Sequence, residues 1–111
     1  MPAHKTIGIL GLGSIGLRHA QNLLAMGHKL WAYDPTYPAI TGIIMCSTSQ
    51  PVVENSDAIV IASPSHQHWF DLDLVLNAKK HVFVEKPIGV ISMRNARCFE
   101  IAQENNLVVM C

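Results

Sequence analysis

Short apolar runs, separated by breaks rich in glycine, proline and asparagine, alternate along this chain with longer stretches whose apolar positions recur at helical spacing. The first run, Thr6-Ile7-Gly8-Ile9-Leu10, has no polar–apolar alternation, the pattern of a strand covered on both faces. From Ser14 to Met26 the apolar positions Ile15, Ala20, Leu23 and Leu24 predict a helix, and Gly27 supplies the left-handed residue that ends helices. Lys29–Tyr33 predicts a second strand, stopped by Asp34-Pro35. Pro35 and Pro38 leave a stunted helix at best before Gly42, and Gly42–Cys46 predicts one short strand. Ser49-Gln50-Pro51 resembles a helix start, with a capping hydroxyl and a proline in the first turn, which predicts one or two helical turns through Asn55.

The second half is more regular. Ala58–Ala62 predicts a buried strand; Trp69, Leu72, Val75 and Leu76 form the stripe of a helix reaching Lys79-Lys80; His81–Val84 predicts another strand. Ser92 caps a predicted helix carrying Met93, Ala96, Phe99 and Ala102, ended by Asn105-Asn106 before a last strand at Leu107–Met110. Strands alternating with helices imply an α/β fold: a mostly parallel sheet of five to six strands, doubly wound, with helices on both faces.

Composition narrows the class. The 111 residues make one domain, 1–111, with no repeat or linker to divide it. Half the residues are hydrophobic and 14% charged, with eight basic and eight acidic side chains, which argues against disorder and against nucleic acid as a partner. No segment approaches the roughly 18 consecutive apolar residues of a membrane span, and Met1–Lys5 leads into the first strand rather than through a cleavable signal. Cys46, Cys98 and Cys111 are dispersed, so free thiols and a cytoplasmic location are expected.

Gly11, Gly13 and Gly16 have the G-x-G-x-x-G spacing between a strand and a helix. The first glycine allows the tight turn, the second lets backbone amides approach a pyrophosphate, and the third lets helix pack close to strand. Helix N-terminal amides favour the anion further. Glycines serving only a tight turn, or a methyltransferase loop, are the competing readings. Asp34 closes the second strand 18 residues after Gly16, near the separation of about 20 at which an acidic residue accepts the adenosine ribose hydroxyls. Alternatively it forms a strand-end turn before Pro35. From Leu30 to Ala78 there is no Lys or Arg to neutralise a 2′-phosphate, which favours NAD over NADP; Arg18 is the nearest cation in sequence that could overturn this.

Two further clusters follow strands. Ser63-Pro64-Ser65-His66-Gln67-His68 comes after the Ala58–Ala62 strand, and Glu85-Lys86-Pro87 after the His81–Val84 strand. In a parallel sheet they share one edge with the glycine loop and Asp34. Lys86 there can donate a hydrogen bond to a substrate oxygen, or be a solvated charge beside a proline turn. His66-x-His68 with Asp71 lacks a third convincing metal ligand, so no metal is expected.

In this order, Gly11-Leu12-Gly13-Ser14-Ile15-Gly16, Ala62-Ser63-Pro64 with His68, and Lys80-His81-Val82-Phe83-Val84-Glu85-Lys86-Pro87-Ile88-Gly89 resemble the N-terminal domain of the Gfo/Idh/MocA oxidoreductases. The resemblance covers nearly the whole chain and implies a Rossmann domain binding a nicotinamide cofactor. It implies cofactor contacts from Gly11, Gly13, Ser14, Ile15, Gly16, Asp34, Ser63, Pro64 and His68, and from Glu85, Lys86 and Pro87 beside the nicotinamide. It also implies catalytic contact of Lys86 with the reacting hydroxyl of a small polyol-like substrate. Members of the family continue into a second α+β domain carrying an aspartate and a histidine of the active site. That domain is expected to be absent here, and the Asp34–Asp57 region is short for the family.

The expected activity is hydride transfer between NAD and a secondary alcohol of a sugar, cyclitol or polyol, with little turnover by the 111 residues alone. The alternative is a non-catalytic NAD-binding module or scaffold. A last strand left at a sheet edge and uncovered apolar surface predict a homo-oligomer.

Overall fold

The computed structural model describes residues 5–36, 39–64, 67–84 and 109–110, with the backbone alone for Trp69, Val109 and Met110. The elements are β1 (Thr6–Leu10), α1 (Ser14–Ala25), β2 (Lys29–Tyr33), β3 (Ile43–Met45), α2 (Ser49–Glu54), β4 (Ala58–Ile61), α3 (His68–Asn77), β5 (His81–Val84) and β6 (Val109–Met110). The strands form one sheet in the order β3-β2-β1-β4-β5-β6, and each adjacent pair is parallel. From β1 the chain winds outward to β3, returns beside β1 as β4, and winds outward in the other direction. Loops after β1 and β4 therefore leave the sheet on opposite sides and open a crevice above the carboxyl ends of the strands.

Successive residues of a strand point to opposite faces, so Ile9 and Leu10 enter different cores. Ile9 packs with Leu12, Ala20, Leu30 and Ala32 beneath α1. Leu10 packs with Val52, Val53, Ile61, Val75 and Leu76 beneath α2 and α3. Both faces of β1 are thus dry, which is why its sequence does not alternate. At Gly8 a Cβ would lie 2.6 Å from both Ile59 Cδ1 and Ser56 Oγ, so the missing side chain lets the end of α2 settle against β1.

Most element limits agree with the sequence reading, and three details differ. Ile15 is 52% exposed instead of joining the α1 core stripe. Thr48, not Ser49, occupies the N-cap of α2, without a side-chain cap bond, because the helix starts one residue earlier. Pro51 then falls in the first turn, where its missing N–H costs no helical bond. Finally, α3 stops at Asn77 and Lys79 adopts φ 61, so the Lys79-Lys80 pair forms the turn into β5 and is not part of the helix. Leu72, Val75 and Leu76 are buried as the helical stripe requires, while the side chain of Trp69 and the helix expected from Ser92 lie outside the described residues. No helix among the described residues is long and apolar enough to cross a membrane.

Candidate cofactor site

The glycines make distinct demands. Gly11 has φ 99, donates its N–H to Tyr33 O at 3.0 Å, and leaves no room for a Cβ, which would meet Ser63 N at 2.5 Å. At Gly16 a Cβ would stand 2.0 Å from Gly11 O and 3.2 Å from Ala62 Cβ, so the first turn of α1 is pressed onto the loop. Gly13 is the exception: a Cβ there would meet nothing within 4 Å. The fold's own packing does not exclude a side chain at Gly13, and the space above it is open. Gly13 is also the N-cap of α1, with no side-chain cap and no acidic residue in the first turn, so the positive end of the helix is left uncompensated. Open space above free amides suits an anionic group and fits a dinucleotide pyrophosphate.

Asp34 lies at the carboxyl end of β2. Its Oδ2 accepts the Leu12 N–H at 2.5 Å and its Oδ1 accepts the Thr36 N–H at 2.7 Å. The second bond is the strand-end turn that the sequence suggested. The first ties this turn to the glycine loop, so one carboxylate sets the relative position of two loops.

The β4–α3 connection is held by the half-buried Ser63 together with the buried His68 and Asp71. Ser63 Oγ donates to Asp71 Oδ2 at 2.5 Å, and the Ser63 carbonyl lies 2.6 Å from His68 Nε2. A carbonyl can only accept, so Nε2 is the donor in this bond. His68 is 2% exposed and Asp71 5% exposed, and His68 Nδ1 has no hydrogen-bond partner among the described residues. Burial pushes the Asp71 carboxyl above its ordinary range, against the Ser63 hydrogen bond and the attraction of His68.

Two contiguous cavities occupy the crevice. One, of about 370 Å³, is lined by Gly11, Gly13, Ser14 and Ile15 on the α1 side and by Asp34, Thr36, Ala62, Ser63 and Pro64. The other, of about 280 Å³, shares Gly11, Asp34, Thr36, Ser63 and Pro64 and extends to Leu10, Tyr33, Pro35, Ser49, Gln67 and Asp71. The fold thus gathers most of the expected residues from three separate loops. Gly16 packs behind the loop, and His68 lines neither cavity but fixes the Ser63 carbonyl. His66, Glu85, Lys86 and Pro87 lie outside the described residues.

Sequence reasoning weighed Asp71 only as a metal neighbour and passed over Gln67 and Ser49. The four-residue spacing of Gln67 and Asp71, which places them on one face of a helix leaving the β4 loop, was the available signal. Ser49 reaches the crevice only through the sheet order, and no local pattern marks it.

Strand order, glycine loop and crevice together define a dinucleotide-binding Rossmann domain. The chain belongs to the Gfo/Idh/MocA family: residues 5–111 match the model of the oxidoreductase family with an NAD-binding Rossmann fold. It is 28% identical over 112 aligned positions to the inositol 2-dehydrogenase of Rhizobium meliloti, covering 93% of this chain and 34% of that protein. A shorter match, 35% over 68 residues, links 56% of the chain to 21% of a mitochondrial 3-hydroxyisobutyrate dehydrogenase of Drosophila melanogaster. Among solved structures, scyllo-inositol dehydrogenase from Lactobacillus casei with bound NAD(H) and scyllo-inositol superposes with a TM-score of 0.82 at 30% identity, over 97% of this chain and 36% of that one. The chain therefore spans roughly a fifth to a little over a third of the length of these relatives.

Proposed function

We propose that residues 1–111 form one NAD-binding domain of an oxidoreductase that moves hydride between nicotinamide and a secondary alcohol of a sugar, cyclitol or related polyol. The observation that carries this reading is the meeting of Gly13, Asp34 and Ser63-Pro64 around contiguous cavities at the strand switch point. In this reading the free amides above Gly13, with Ser14 and Ile15, hold the pyrophosphate, and Asp34 accepts the adenosine ribose hydroxyls. Ser63 and Pro64 form the facing wall. When bound, the dinucleotide supplies the hydride chemistry at nicotinamide C4. Glu85, Lys86 and Pro87 follow β5 in the sequence, and the resemblance assigns Lys86 to the substrate oxygen and Glu85 to the nicotinamide ribose. The polyol class rests on the inositol dehydrogenases among the relatives.

Preference for NAD over NADP rests on Asp34. Among the described residues neither cavity is lined by a Lys or Arg, so a 2′-phosphate would face a carboxylate without a cation. Calorimetric titration is expected to give tighter binding of NAD+ than of NADP+, and the reverse order refutes the assignment. Turnover is proposed to require the remainder of the fold that longer relatives carry. In such a full-length form Lys86→Ala should lose rate and keep NAD binding; an unchanged rate refutes the role of Lys86.

We also place the protein in the cytosol, on its dispersed thiols, of which Cys46 is half-buried and free. Self-association is proposed through the β6 end of the sheet, which is outermost among the described strands. Light scattering that finds only monomer at high concentration contradicts it.

A further inference from the structure

The two cavities share their middle and differ at their ends: one reaches the first turn of α1, the other reaches Ser49, Gln67 and Asp71. If the crevice holds NAD, as proposed, the geometry of adenosine assigns these ends. Adenosine carries its phosphate on C5′, its hydroxyls on C2′ and C3′, and its base on C1′. With phosphates over Gly13 and the ribose hydroxyls at Asp34, the base is directed away from the phosphate end, into the cavity lined by Gln67 and Asp71. That cavity offers apolar surface from Leu10, Pro35 and Pro64, and a buried carboxylate.

The Asp71 carboxylate is half used. Its Oδ2 accepts the Ser63 hydroxyl, the one hydrogen bond it accepts from the described residues, and the side chain is only 5% exposed. Oδ1 accepts no hydrogen bond from the described residues, and Asp71 lines the wall of this cavity. A ligand that fills the cavity displaces water from this oxygen, so one that supplies a donor there is favoured and one that supplies a second acceptor is rejected.

We propose that Asp71 Oδ1 accepts a hydrogen bond from the exocyclic 6-amino group of adenine, making this domain selective for a 6-amino over a 6-oxo purine. In a 6-oxo purine the donor is replaced by a carbonyl, which sets two acceptors against each other. Gln67, the N-cap residue of α3, borders the same cavity and has amide hydrogens to offer a ring nitrogen.

The test is calorimetric titration of the 111-residue chain with NAD+ and with nicotinamide hypoxanthine dinucleotide, which differ only at purine position 6. NAD+ is expected to bind on the order of tenfold tighter or more. Asp71→Asn keeps an acceptor for Ser63 and offers an amide that accepts or donates, so the ratio should fall toward one, with far-UV circular dichroism confirming the fold. ADP against IDP on the unaltered chain repeats the discrimination without any substitution. Equal affinities in the unaltered chain, or a ratio that Asp71→Asn leaves unchanged, overturn the proposal while leaving NAD binding intact. Failure of the folded chain to bind either dinucleotide overturns the cofactor reading with it.

Discussion

The Asp34 carboxylate accepts the backbone N–H of Leu12, so the acidic residue that ends β2 also holds the glycine loop that follows β1. Leu12 is fully buried, and its N–H has no water to turn to. Asp34→Ala is expected to lose about 1–3 kcal/mol in urea unfolding, the cost of a buried donor left unpaired. Asp34→Asn keeps one acceptor, enough for the Leu12 N–H but not for the Thr36 N–H as well, so it should lose less stability than Asp34→Ala, while its NAD affinity drops because the charge that orders the ribose hydroxyls is gone. Thr36→Arg, beside Asp34 on the wall shared by both cavities, should raise NADP+ affinity relative to NAD+, read by paired titrations.

Gly13 and Gly16 should separate binding from stability. Gly16→Ala drives a methyl into the Gly11 carbonyl and is expected to cost about 3 kcal/mol or more, or to prevent folding. Gly13→Ala meets no protein atom and has an ordinary φ of −67, so melting should change by less than about 1 kcal/mol. Its NAD affinity should nevertheless fall, because the methyl occupies the space over the loop amides. A Gly13→Ala protein that binds NAD as well as the parent would remove the loop from the cofactor site.

Asp71 gives a pH prediction with a definite sign. Its carboxyl is raised in the folded protein by burial, so the folded state holds the proton more tightly than the unfolded state. The ionised group is then a cost to folding above the raised value, and that cost disappears as pH falls to the ordinary carboxylate range. Asp71→Asn should therefore be more stable than the parent at neutral pH, with the gap closing as pH is lowered through that window. Thermal melts across the acid range follow the difference, and a gap that widens toward acid contradicts the burial effect.

His68 is tested by shape and donor together. His68→Phe removes the Nε2 proton that the Ser63 carbonyl accepts, and should cost about 1–3 kcal/mol. His68→Gln, which can present an amide N–H toward the same carbonyl, should recover part of that loss in denaturant melts. Equal destabilisation by both variants would assign His68 a packing role without the hydrogen bond.

Much of this architecture was legible in order along the chain. The unalternating Thr6–Leu10 run, the glycine spacing and Gly27 specified a strand, tight loop and helix because those signals are local: they depend on the φ values and side-chain periods of neighbouring residues. Ile15 was misassigned for the same reason, since helical spacing cannot tell a core stripe from a cleft mouth. Asp34 was legible as a ribose acceptor and as a turn former, but its bond to Leu12 was not, since the two residues meet only after β1 and β2 pair.

The sequence by itself determined the elements, the doubly wound class and the family resemblance, because periodicity, glycine placement and strand-end motifs are written in contiguous residues. Tertiary structure decided which atoms share a site. The return of the chain beside β1 brought Ser49, Ser63, Gln67 and Asp71 to one cavity with Asp34, buried His68 behind Ser63, and left space open above Gly13. Those outcomes depend on long-range pairing, where burial and the satisfaction of polar atoms are settled by the whole sheet and not by any one segment.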